Sequence, residues 1–265
     1  MANVALVATI TAPLSSIPGE IADVSDEVAW LQWRADLAGQ APALNLRKHF
    51  PGKLLYTLRS VRCGGAFAGS VTERHSRILS AAPDYDVLEL EAGTDLTHEV
   101  LSAVPPSKRM ISWSGAACDT KELRGRFNEF SRVPADSYCL TVEATRTSHG
   151  LATLQFLKEL GRNDVTAFCT GPFGLWSRLL APFFGAPFLF GHSGIQTSAS
   201  GEPAINRLIA DYGFPALHPL RELYGMVGNR IFHSPSPRLH NAGYRALNYP
   251  ALFLPFYEEC FEDFW

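Results

Sequence analysis

Lysine is scarce in these 265 residues: Lys48, Lys53, Lys108, Lys121 and Lys158 are all there are. Basic side chains form no run, and 23 of them against 26 acidic ones leave a formal net charge of −3. The electrostatic footprint that nucleic acid or an anionic membrane surface requires is therefore missing. Cysteine is sparse too. Cys63, Cys118, Cys139, Cys169 and Cys260 make an odd count with no C-x-x-C spacing, which reads as reduced thiols and not as a disulfide framework. No apolar run reaches the roughly 20 residues that span a bilayer, and the apolar start from Met1 to Ile10 carries no basic flank. The expectation is a soluble, cytoplasmic protein. A G-x-G-x-x-G turn is also lacking, so no dinucleotide cofactor is expected in this chain.

What is present is core-forming material. Hydrophobic residues make up 46% and charged residues 18%, which permits a large interior and argues against disorder. Strand-like runs fall at 4–10, 29–34, 54–59, 87–91, 109–113, 138–142, 165–169 and 187–190, with helix-like stretches such as 71–82, 120–130 and 151–160 between them. That alternation predicts an α/β protein with parallel winding, and a closed (β/α)8 TIM-type barrel is the economical solution for a stretch of this length. Gly213, Pro215 and Pro219 then break the pattern. We divide the chain into a barrel, 1–217, and a shorter βαβ-like segment, 218–265, with strands expected at 222–228 and 251–256. The second piece is too short to fold alone. It has to pack on the barrel, pair with another chain, or belong to something longer.

Parallel barrels present their functional groups at the carboxyl ends of the strands. Those ends carry a basic set here. Arg34 and Asp36 close the second strand in Gln32-Trp33-Arg34-Ala35-Asp36-Leu37. Arg59 closes the third in Thr57-Leu58-Arg59-Ser60, ahead of Gly64 and Gly65. Arg178 follows the seventh in Ser177-Arg178-Leu179, and a last loop runs Gln196-Thr197-Ser198-Ala199-Ser200-Gly201-Glu202. Desolvated arginines gathered at one barrel end are costly unless matched. An anion pocket is the sharper reading, and inherited ion pairs are the plainer one.

In order and spacing these motifs resemble type I 3-dehydroquinate dehydratase over about residues 3–212. The resemblance implies a strand lysine that forms a Schiff base with the substrate ketone, a histidine acid–base, a glutamate that orients it, and arginines that hold the substrate carboxylate. Carried over one position at a time, Arg34, Arg59, Arg178 and Ser198 fit as substrate-binding residues. The lysine position holds Cys139, the histidine position Ser114 and the glutamate position Cys63. Gln32 replaces an acid and Glu202 replaces a glutamine. Lys53 and Lys108 precede the third and fifth strands, the wrong end of a barrel, while Lys48, Lys121 and Lys158 read as helix or helix-edge residues. The expectation is a barrel that retains a carboxylate pocket and has lost its Schiff-base route. An enzyme with relocated groups, among them Cys63, Cys139 and Glu202, stays open, as does a ligand-sensing regulatory protein. His192 reads as a capping or packing histidine or a new base, and the two cysteines as small residues filling vacated space or as a new thiol or metal site.

The stretch Gly228-Asn229-Arg230-Ile231-Phe232-His233-Ser234-Pro235-Ser236-Pro237-Arg238-Leu239-His240-Asn241 resembles the opening of shikimate dehydrogenase, over about residues 222–265. That likeness implies that Ser234 and Ser236 bind the shikimate carboxylate beside a helix start; the plainer reading is a serine-capped helix with Pro237 in its first turn. It also implies that NADP belongs to a later domain of such a fusion. The ligand expected is a small carboxylate such as dehydroquinate or shikimate, with no metal, and the sequence leaves open whether the chain forms a homodimer.

Overall fold

A computed structural model describes residues 4–12, 26–40, 43–193 and 201–265. Eight parallel strands follow one another: β1 (Ala5–Ile10), β2 (Val28–Arg34), β3 (Lys53–Thr57), β4 (Val87–Glu91), β5 (Arg109–Ala116), β6 (Ser137–Glu143), β7 (Val165–Thr170) and β8 (Phe188–His192). They pair in the order β7-β6-β5-β4-β3-β2-β1-β8, every ladder parallel. This is the expected TIM-type barrel, nearly closed. The seam between β7 and β8 is spanned by side chains. The Phe188 N–H donates to Thr166 Oγ1 at 3.4 Å, and the Phe168 and Phe190 rings lie 6.1 Å apart.

The strands form because their residues are buried on both faces. β4, Val-Leu-Glu-Leu-Glu, is buried at all five positions, which is why it reads as a short run without clean alternation. The helices start where the sequence supplies caps. Ser70 accepts the Glu73 N–H at 3.1 Å to open the helix Val71–Ala81, and Asp119 accepts that of Glu122 at 2.8 Å to open Thr120–Phe130. Trp33, Tyr56, Phe127 and Phe156 are fully buried between strands and helices. Among the described residues no helix is long and apolar enough to cross a membrane.

After the helix Ile205–Tyr212 the chain turns at Gly213 and passes beneath the barrel, where Val4 donates to the Pro215 carbonyl at 3.1 Å. The tail then forms β9 (Glu222–Gly228), the helix Ser236–Ala246 and β10 (Ala251–Tyr257), with β9 and β10 paired in parallel. This tail packs on the barrel. Leu252 and Leu254 are buried in one continuous core with the barrel residues. Phe256 meets Trp176 at 5.5 Å, and Thr147 Oγ1 donates to the Tyr257 carbonyl at 2.8 Å. The Asn241 amide bonds both the N–H and the C=O of Phe253, fixing the tail helix against its strand. The helix start departs from a serine side-chain cap. Ser234, one residue before the cap position, accepts the Ser236 N–H at 3.2 Å, and Pro235 stands at the cap itself.

Replacing Leu254 by alanine deletes a fully buried side chain of the tail. We expect a loss of about 2–5 kcal/mol, read from the midpoint of urea unfolding, within a single transition. A separate early transition would show that tail and barrel unfold independently.

Candidate functional site

At the carboxyl ends of the barrel strands lies a cavity of about 130 Å³. Alternate residues of a strand face the same side, so Cys139 and Thr141 of β6, and Phe168 and Thr170 of β7, enter it together. Arg34, Arg59, Arg178 and Glu202 all line it, as the sequence leads one to expect. Ser198 lies outside the described residues.

The guanidiniums are not bare. Arg34 forks onto Asp36 at 2.8 and 2.7 Å. Arg59 pairs with Glu89 at 2.9 Å, and Arg178 with Glu202 at 3.3 Å while also lying 4.3 Å over the Phe168 ring. The inherited-ion-pair reading thus holds for part of each arginine. It does not hold for all: Nε of Arg59 and Nε of Arg178 are buried with no hydrogen-bond partner. A donor left so costs about 1–3 kcal/mol.

Glu89 is the residue that sequence reasoning passed over. Its carboxylate collects Arg59, the Thr57 hydroxyl at 2.7 Å and the Gln32 amide at 3.3 Å, and Gln32 in turn accepts from Thr9 at 2.8 Å. A chain of polar groups so crosses β1 to β4 inside the barrel. Burial alone would raise the Glu89 carboxyl; the Arg59 charge and the bonds from Thr57, Arg59 and Ser112 outweigh it and hold the group at about 2. Two acids in the five-residue strand 87–91 were the available signal, since an acid in a strand buried on both faces needs a partner. The second, Glu91, accepts the Ser60 N–H and hydroxyl at 2.7 and 2.8 Å and shapes the loop after β3. That loop needs its glycines. Gly64 has φ +78°, and a Cβ on Gly65 would lie 2.1 Å from the Arg59 carbonyl oxygen.

The three replaced positions do not come together. Cys139 lines the arginine cavity, where burial and then Glu89 push its thiol up to about 12, too high for a useful thiolate. Cys63 and Ser114 line a different recess, about 280 Å³, with Trp113 and Arg126. Ser114 Oγ lies 2.6 Å from Thr141 Oγ1, and Thr141 belongs to the arginine cavity, so this hydroxyl pair stands between the two hollows. A joint Cys63–Cys139 thiol site is therefore not formed. None of the five lysines reaches the cavity: Lys108 Nζ donates to the carbonyls of Ala82 and Tyr85, Lys53 lies over Trp30, and Lys48, Lys121 and Lys158 are on or beside helices. His192 ends β8 and is not among the lining residues. Ser234 is elsewhere, in a recess of about 300 Å³ with Arg207, His233 and Arg238; its hydroxyl donates to Ser236 Oγ at 3.1 Å. Among the described residues no group of three His, Cys, Asp or Glu side chains is gathered as for a metal.

The fold and this mouth define an α/β barrel whose polar site lies at the carboxyl ends of its strands. The chain belongs to the type I 3-dehydroquinase family, whose description it matches over residues 7–216. It is similar to the 3-dehydroquinate dehydratase of Dehalococcoides mccartyi, 30% identical over 71% of this chain and 86% of that protein. It is 24% identical to the chloroplastic bifunctional 3-dehydroquinate dehydratase/shikimate dehydrogenase of Arabidopsis thaliana, over 84% of this chain. It is 26% identical to the pentafunctional AROM polypeptide of Scheffersomyces stipitis, over 91% of this chain. The chain spans only 38% and 16% of the length of those two multifunctional relatives. In fold it resembles the type I 3-dehydroquinate dehydratase of Clostridium difficile, with a TM-score of 0.69 and 19% identity over 78% of this chain and 90% of that one. The dehydroquinate dehydratase and shikimate dehydrogenase of S. pombe AroM covers 99% of this chain, with 54% of its own length matched, at a TM-score of 0.64 and 18% identity.

Removing the Glu89 charge tests the polar chain. Glu89→Gln leaves Arg59 buried without its carboxylate, and we expect a loss of about 3–5 kcal/mol at neutral pH. Because the Glu89 carboxyl is lower in the folded chain than its ordinary 4.5, its contribution is complete above that value and is lost as pH falls through about 2. The difference in unfolding free energy between wild type and variant should therefore narrow over that interval, as followed by denaturant unfolding at a series of pH values.

Proposed function

We propose that this chain is a shikimate-pathway barrel that grips a small hydroxylated carboxylate, of the dehydroquinate or shikimate kind, without converting it through a Schiff base. The observation that carries this is the make-up of the mouth. Three arginines line a cavity that no lysine enters. A ligand carboxylate would meet the guanidiniums of Arg34, Arg59 and Arg178 in charge-assisted bonds. The hydroxyls of Thr9, Thr141 and Thr170, which line the same cavity, would meet ligand hydroxyls. A ketone held there has no amine to attack it, and Cys139, with its thiol protonated, does not substitute. The Ser114–Thr141 pair offers no base in the neutral range. Deprived of both groups, the barrel would bind and not dehydrate.

In this reading the tail corresponds to the opening of a shikimate dehydrogenase substrate domain. The relatives that match both barrel and tail support it, and Ser234 in its recess beside Arg207 and Arg238 would receive a carboxylate. Hydride transfer with NADP would belong to a unit that these 265 residues do not contain.

The test is a thermal-shift titration with dehydroquinate, shikimate and quinate, run beside borohydride trapping and a turnover assay. We expect one of the three to raise Tm, since a ligand at about 100 times its Kd adds about 2.7 kcal/mol. The shift should be lost in Arg178→Met and weakened in Arg34→Met. No reduced covalent adduct should form. A trapped imine, or dehydration at an ordinary enzymatic rate, would sink the proposal; so would the absence of any shift.

A further inference from the structure

A second hollow, about 350 Å³, opens at the opposite end of the barrel, where the tail is docked. Its barrel wall comes from Phe183, in the turn before β8, and from Tyr212 and the segment that follows it. Its tail wall comes from Tyr244 and Arg245 of the helix Ser236–Ala246 and from Tyr249 and Leu252 beyond it. The size is that of a small-molecule site, and its aromatic and aliphatic wall also carries His218, Asn241, Arg245 and Asn248.

Arg245 is the group that gives this hollow a chemistry. One of its nitrogens, Nη2, donates to the Ala210 carbonyl at 3.3 Å; the other, Nη1, is buried with no partner. No carboxylate pairs with it among the described residues. Asp211, the nearby acid, is already held by Arg207 and Arg238, each at 2.7 Å. Three guanidiniums thus crowd one carboxylate, and the one facing the hollow is the one left over. Burial works against the Arg245 charge, and Asp211 only partly offsets it. Arg245 lines the hollow without a carboxylate of its own, so an anion entering there would supply the missing charge. The body of that ligand has to suit the rest of the wall. Phe183, Tyr212, Tyr244 and Tyr249 offer ring edges and faces.

We propose that this hollow is a binding site for a small aromatic monocarboxylate, its ring among the tyrosines and its carboxylate on Arg245. The site is distinct from the arginine cavity at the mouth and rests on different residues. Because barrel and tail each supply a wall, an occupant holds the tail in its docked position.

The experiment is calorimetric titration of the full chain with 3-phenylpropionate. We expect one site with a Kd below about 1 mM. Uncharged 3-phenylpropanol and the variant Arg245→Met should each weaken binding by about tenfold or more, as expected for a charge-assisted bond. Tyr249→Ala, at a position 41% exposed where folding has little at stake, should also weaken it while leaving the guanidinium in place. Arg178→Met, at the other end of the barrel, should not change it. No heat of binding up to about 5 mM ligand would overturn the proposal. Affinity unchanged in both Arg245→Met and Tyr249→Ala would overturn it too, as would loss in Arg178→Met alone. Equal affinity for 3-cyclohexylpropionate would overturn its aromatic part.

Discussion

The buried pair of Arg59 and Glu89 is the contact on which the rest of the mouth depends. A carboxylate in the middle of a fully buried strand is tolerable only with a cation against it, and the cation has to arrive from a neighbouring strand. That requirement fixes where the loop after β3 goes. Arg59 must turn back over the barrel, Gly64 and Gly65 allow the turn, and Glu91 ties Ser60 down beside it. Gln32, Thr57 and Thr9 complete the polar chain by satisfying what the ion pair leaves over. The floor of the cavity is therefore a stability element, and in the proposed reading it is also the surface that meets the ligand.

Strand runs and their alternation with helices were plain in the sequence because β/α winding repeats one hydrophobic signal eight times. The sequence pattern places the 87–91 strand to the residue and the other barrel strands to within three residues at either end. The arginines of the mouth were equally legible, since each ends or follows a strand. Their partners were not. Asp36 lies two residues from Arg34 and could be guessed, but Glu89 is thirty residues from Arg59 and Glu202 twenty-four from Arg178. Those pairings are decided by strand register, which a linear reading does not supply. The same holds for Cys63 and Cys139. Both mark positions where the family resemblance implies a catalytic group, yet they open into different hollows.

The tail illustrates a different limit. Its elements follow from its residues, with β9 found at the expected 222–228 and Pro237 within the first turn of the helix. Where it would be seated was open. The answer lies in aromatic and aliphatic side chains of β10, Leu252, Leu254, Phe256 and Tyr257, which meet the barrel's own core and rings. A two-stranded unit of this size could not bury enough apolar surface by itself.

One short helix joins these two stories. Leu175–Leu180 shows Trp176 to Phe256 of the tail and, two residues later, sends Arg178 into the cavity. Two residues along a helix turn the side chain through roughly 200°, and the whole piece is about 9 Å long. A rod so short cannot flex between its ends. The seat of the tail and the place of the cavity's guanidinium therefore share one six-residue support.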